Sequence, residues 1–308
     1  MQNIIAENRY ALPVTAVLAA LILLLSGQPW QQLWQTVGLL AVSALLMVEL
    51  NNAYALIRIY SRMVSCSFLA IMVMASFLHT HSAILIVQLC TIIFYLTIFH
   101  AYQDKQATGW VFYAFLSIGI ASLFFVQILY FVPILWLLLL FNINALSART
   151  FCASLFGLLL PYWFIGGYAV YIGRSEELLS HFLALSRFGQ PLDFQSLNPH
   201  QLLTACFVLL LMVIGSIHFI RNSFHDKIRI RMIYETFIIM SVSTLLFMVL
   251  QPTHFDFLLS IFIVSTAALT GHFISLTHTR LTNIAFIWMI LTTILLMVYN
   301  IWTPSLTF

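Results

Sequence analysis

Charge is what this sequence lacks. Asp, Glu, Lys and Arg together make up only 7% of its 308 residues, whereas soluble domains carry about 25%. Hydrophobic residues reach 62%. No soluble fold of this length hides so much apolar surface, so the solvent must be lipid. Catalytic strings are absent too: there is no GxSxG, HExxH, DxD or Walker-type glycine loop. That excludes a P-loop motor and leaves room only for chemistry whose residues are dispersed. The four cysteines, Cys66, Cys90, Cys152 and Cys206, all lie in apolar runs. They form neither a disulfide framework nor a Cys-x-x-Cys site. The first apolar run ends in SGQPW with no small-x-small cleavage signal, so it reads as a retained span. No residue-level internal repeat is visible, and nothing points to nucleic acid as a partner.

A spanning helix needs roughly 20 apolar residues. Runs of that kind predict spans at about 10–26, 33–50, 55–78, 82–100, 110–126, 129–146, 151–172, 200–220, 234–250, 255–274 and 284–302. The stretch 110–146 is nearly continuous, broken only by Gln127 and Pro133, but it is too long for one crossing. The expected fold is therefore an all-α polytopic transmembrane bundle of about 11 spans, a single integral domain over 1–308.

Where the basic residues fall orients it. With eleven spans, Arg9, Arg58, Arg62, Lys105, Arg149, Arg221, Lys227, Arg229, Arg231 and Arg280 share one side, and only Arg174 and Arg187 the other. The positive-inside rule makes the richer side cytoplasmic, with the N-terminus inside and the C-terminus outside. Trp30, Trp34, Trp110 and Trp302 near span ends suit aromatic belts. RNSFHDKIRIRM is expected to meet anionic lipid head groups.

The one long outer loop is 173–199. Ser175 suits a helix N-cap, with Glu176 and Glu177 at the positive end of the dipole, and Gly189 and Pro191 stop it. Leu178, Leu179, Phe182, Leu183, Leu185 and Phe188 cover one face, which predicts an amphipathic interfacial helix over about 176–188. Such a helix either fills a gap between spans or forms a lid over an outward-facing site. In the second case Arg174, His181 and Arg187 would hold phosphate or sugar. Pro161 and Gly166-Gly167 in the preceding span predict a kink.

Other polar groups reach the same outer face: Gln28, His79, His81, Gln127, His200, His254 and Asp256. Asp256 is the candidate catalytic base or proton relay, cheap at the interface and costly deeper. The His79/His81 and His254/Asp256 pairs carry ligand types but not a helical ligand spacing, so no metal or other cofactor is assigned. On the inner side, Arg58 and Arg62 lie four apart, which on a helix stacks them after Tyr54. Such an Arg pair either snorkels to head groups or grips a lipid phosphate.

Residues 50–175 also carry a pattern: FHAYQDKQATGW, then FLSIGIASLFFVQILYFVPILWLLLL, a short Arg loop and GLLLPYWFIGGY. This layout resembles an uncharacterised family of bacterial multi-spanning inner-membrane proteins, with a scaffold like that of C-type glycosyltransferases and polysaccharide polymerases. The C-type transferases carry an acid in the first outer loop; here that loop is SGQPWQQ, and the acid is missing. The resemblance to the polymerase and ligase class implies Arg and His (Arg174, His181, Arg187) handling a donor diphosphate without metal. Three functions follow as expectations. The first is a transferase or polymerase-like enzyme on a polyprenyl-phosphate-linked glycan. The second is a transporter or flippase. The third is a non-catalytic subunit of another membrane protein.

Overall fold

Every long apolar run folds as helix, because a backbone without water must satisfy its own hydrogen bonds. The computed structural model describes residues 2–27, 29–194 and 197–306, without the side chains of Ser175, Glu177 and 303–306. Gln28 and the Ser175 side chain thus lie outside the described residues; the cap expected at Ser175 falls on Arg174 instead, and Ser175 is the first residue of its helix. The chain is 84% helical, with no strand among the described residues.

Its helices are α1 Gln2–Ala6, α2 Ala11–Leu25, α3 Trp30–Tyr54, α4 Met63–Met74, α5 Ser82–Ile98, α6 Thr108–Phe124 and α7 Val132–Phe141. Then come α8 Ala148–Ile172, α9 Ser175–Leu183, α10 Pro199–Asn222, α11 Ile228–Leu250, α12 Phe255–Leu276 and α13 Arg280–Leu306. Seven of them, α3, α5, α8 and α10 to α13, are long and apolar enough to cross a membrane. The apolar stretches at α2, α4, α6 and 126–141 are shorter, 10–17 residues each.

One expectation changes and two others take definite form. The run 55–78 is not one span. Ala55 turns left-handed at φ 49° and ends α3, and residues 55–62 form an irregular segment. Polar groups hold it there: Asn51 Nδ2 donates to the Ser61 carbonyl at 3.0 Å, and the Ser61 and Ser275 hydroxyls meet at 2.8 Å. Arg58 and Arg62 therefore do not stack on a helix; Arg62 instead donates to Asn52 Oδ1 at 3.1 Å. Second, α8 runs unbroken through Pro161, Gly166 and Gly167. Third, the division expected within 110–146 falls at 125–131. Phe125 leaves the helix at φ −142°, ψ 88°, a 3₁₀ turn covers Val126–Phe131, and α7 restarts with Pro133 in its first turn.

Packing is set by small residues. A Cβ on Gly157 of α8 would lie 2.5 Å from the Phe112 carbonyl oxygen of α6, and one on Gly119 would lie 2.9 Å from the Leu158 carbonyl oxygen. Only glycine lets these two backbones meet so closely. Gly271 of α12 seats against Val64 of α4 in the same way, at 2.8 Å. The centre is α12, packed by α4, α5, α10 and α11, with 94% of its apolar window buried.

Loop contacts sort into two ends. At one, Gln2 bonds Thr277, Ser147 bonds the Lys105 carbonyl, and Arg229 bonds the Phe99 carbonyl. At the other, Gln32 bonds the His79 carbonyl, Gln127 bonds the Ala184 carbonyl, and Gln201 bonds Asp256. The first end gathers the connections that carry ten of the twelve basic residues; Arg174 and Arg187 belong to the second.

Candidate functional site

The long loop at the second end is fastened down. Its helix, α9, runs Ser175–Leu183 and tightens into a 3₁₀ turn over Ala184–Ser186. The expected helix to 188 thus ends early, and Arg187 and Phe188 fall outside it; Arg187 is extended at φ −86°, ψ 94°. Side chains fasten this turn: the Ala184 carbonyl accepts from Arg187 N–H at 3.3 Å and from Gln127 Nε2 at 3.4 Å, and the Tyr130 hydroxyl donates to the Leu185 carbonyl. Beyond them Gly189 N–H donates to Gln251 Oε1 at 2.8 Å. Leu178 of α9 rests where Gly166 of α8 leaves room.

Between α6, α8 and α9 this leaves a cavity of about 260 Å³, walled by Leu123, Tyr162, Tyr168, Arg174, Leu178 and His181 among others. Two of the sequence-derived candidates, Arg174 and His181, therefore share one space. His181 is oriented by its neighbours: Nε2 lies 3.0 Å from the Ser122 carbonyl oxygen and 3.5 Å from the Tyr162 hydroxyl. A carbonyl only accepts, so this bond assigns the proton to Nε2 and leaves Nδ1 as the acceptor. Tyr162 donates in turn to Ser122 Oγ at 2.8 Å, which donates to the Gly119 carbonyl at 2.7 Å. A cation, an imidazole with one basic nitrogen and two tyrosines can hold an anionic, hydroxyl-rich group.

The other candidates sit elsewhere. Asp256 opens α12, where its Oδ1 accepts from Gln201 Nε2 at 3.0 Å, and it does not line the cavity. The Phe125–Phe257 stack, 4.6 Å between centroids, ties the end of α6 to the start of α12. Arg58 and Arg62 lie at the opposite end of the bundle. His79, expected at the interface, is fully buried; burial, partly offset by the Met72 carbonyl, pushes its pKa down to about 4. His81 is exposed at the N-terminus of α5. Among the described residues no three His, Cys, Asp or Glu side chains are grouped to hold a metal ion.

Comparison of the chain with protein-family models, curated proteins and solved structures found no match.

One cluster escaped the reading of the sequence. At the basic end, His272 of α12 is fully buried and bonds Asp226 Oδ2 at 3.3 Å. His218 of α10 lies 5.5 Å away and Tyr234 of α11 4.7 Å away, between ring centroids. Burial alone would raise the Asp226 pKa, but the His272 bond and the charges of His272, Arg58 and His225 prevail and hold it below the usual carboxylate range. The signal was there: His218 and His272 are titratable residues inside apolar runs, which marks them for attention.

Proposed function

We propose that this multi-pass protein belongs to a bacterial cytoplasmic membrane, crosses it eleven times with its N-terminus inside and C-terminus outside, and acts on a polyprenyl-phosphate-linked glycan at the outer leaflet. The observation that carries the reading is that Arg174 and His181 line one cavity with Tyr162 and Tyr168, at the end poor in basic residues. In this reading Arg174 pairs with the donor phosphate, as guanidinium forks do. His181 Nδ1 takes the proton of an incoming hydroxyl, whose oxygen bonds the anomeric carbon of the donor sugar as that carbon's bond to the phosphate oxygen breaks; the polyprenyl phosphate leaves paired with Arg174. Asp256, held by Gln201 outside the cavity, serves α10–α12 packing and not the reacting atoms. Arg187 flanks the loop, and Arg58 and Arg62 meet inner-leaflet head groups. The resemblance of residues 50–175 to the layout of C-type transferases and polysaccharide polymerases points to the same class.

Native purification in mild detergent, with mass spectrometry of bound lipid, tests this. A polyprenyl-phosphate glycan on wild type, lost in Arg174→Ala, is the expected result. A second reading, a subunit of another membrane protein, is favoured by the aromatic face of α8, where Trp163 is 79% and Tyr171 88% exposed. A stoichiometric protein partner with no glycan lipid would replace the first reading with this one.

A further inference from the structure

A second, larger cavity of about 520 Å³ lies on the other flank of the bundle. Its walls are α2, α4 and α13, and α12 contributes Thr270 and Ile274 to its lining. Most of the lining is apolar, with Thr15, Ser67, Thr270 and Thr293 among it. It is open to the side, because Val14, Leu18 and Ile294, which line it, are 54%, 52% and 52% exposed.

Its length carries the argument. The lining runs from Ala11 to Ile22 on α2, from Phe286 to Met297 on α13, and from Met63 to Val73 on α4. At 1.5 Å per residue these walls are about 15–17 Å long. A hydrocarbon layer of about 30 Å gives each leaflet about 15 Å. All three walls start at the basic end, so the groove is as deep as the leaflet on that side. A side-open apolar groove of this depth matches a hydrocarbon chain lying along one leaflet. The mouth supplies the charge. Asn8 and Tyr10 line it, Arg9 lies between them, and α1 is tied across this end by Gln2 to Thr277 and Asn283.

We propose that this groove is a binding site for one acyl chain of an anionic glycerophospholipid of the basic-side leaflet, with its phosphate at Arg9. The site is independent of the cavity under α9.

The test reconstitutes the full chain in vesicles of equal phosphatidylglycerol and phosphatidylcholine, re-extracts it in mild detergent and counts retained lipids by native mass spectrometry. Wild type is expected to keep one phosphatidylglycerol and Arg174→Ala to keep it as well. Ala19→Phe, which fills a wall position that is 8% exposed, is expected to lose it. Arg9→Ala is expected to cut the preference for phosphatidylglycerol at least fivefold. Leu18→Trp, at an exposed wall position, provides a readout in a fully folded protein: acyl-dibrominated phosphatidylglycerol should quench it more strongly than the phosphatidylcholine analogue. Equal retention of the two lipids, unchanged retention in Ala19→Phe, or a protein helix seated there overturns the proposal.

Discussion

At the scale of single residues, the chain tolerates few ionisable side chains and gives most a partner or a surface; His79, fully buried with neither ring nitrogen hydrogen-bonded, is an exception. Asp226 and His272 bond each other beneath the basic end, so losing one strands the other. Asp226→Asn is expected to lower stability by about 1–3 kcal/mol, read as a drop in unfolding temperature in detergent. Because the folded pKa of Asp226 lies below its unfolded value, its contribution is complete above about pH 4. It fades as pH falls further through the folded value. The wild-type advantage over Asp226→Asn should therefore shrink below pH 4 and be constant above it. His79 behaves in the opposite window. Its folded pKa of about 4 lies below the unfolded value of about 6.5, so the unfolded chain takes the proton first. Stability should fall as pH drops from 6.5 toward 4, and His79→Asn should flatten that slope. Neither pair of environments was legible in the sequence. His79 and His81 look alike two residues apart, and only the 3₁₀ turn over 76–80 sends one inward and leaves the other in water.

At the scale of elements, hydropathy located the helices but not where they stop. Apolar runs marked 55–78 as one span because Leu56, Ile57 and Ile59 are as hydrophobic as the residues of α4. The chain breaks there because Asn51 and Ser61 offer the backbone and neighbouring hydroxyls other partners, a long-range bond that periodicity cannot encode. At α8, where Pro161 suggests a kink, the helix continues through the residue. Within α8 the residue lies beside Gly119, with its ring 3.1 Å from where a Cβ would stand. The small residues are thus a packing device, and Gly157→Leu should destabilise by about 1–3 kcal/mol or more and separate α6 from α8. Disulfide trapping between cysteines placed on the two helices checks this, by losing its yield. Arg174 and His181 were legible as candidates from the amphipathic loop, but their common cavity depends on the docking of α9 by Gln127 and Tyr130, which no local pattern announces.

At the scale of the whole molecule, the basic residues gave the two ends, and the loop contacts sort the same way. Single cysteines at Lys105 and Arg187, in a background lacking the exposed Cys152 and Cys206, should react with an impermeant maleimide from opposite faces of sealed vesicles. Reaction of both from one face would remove the eleven-crossing orientation. The burial of α12 has a consequence for how the protein is made. A helix with 94% of its apolar window enclosed meets almost no lipid in the finished bundle, yet leaves the ribosome only after α1 to α11. If it entered the bilayer alone, His272 and a series of serine and threonine hydroxyls would face hydrocarbon. The earlier helices must therefore wait as an open ring around an empty slot, and synthesis halted after Leu250 should yield a loosely assembled, protease-sensitive intermediate. Docking of α12 is then the step that closes the ring.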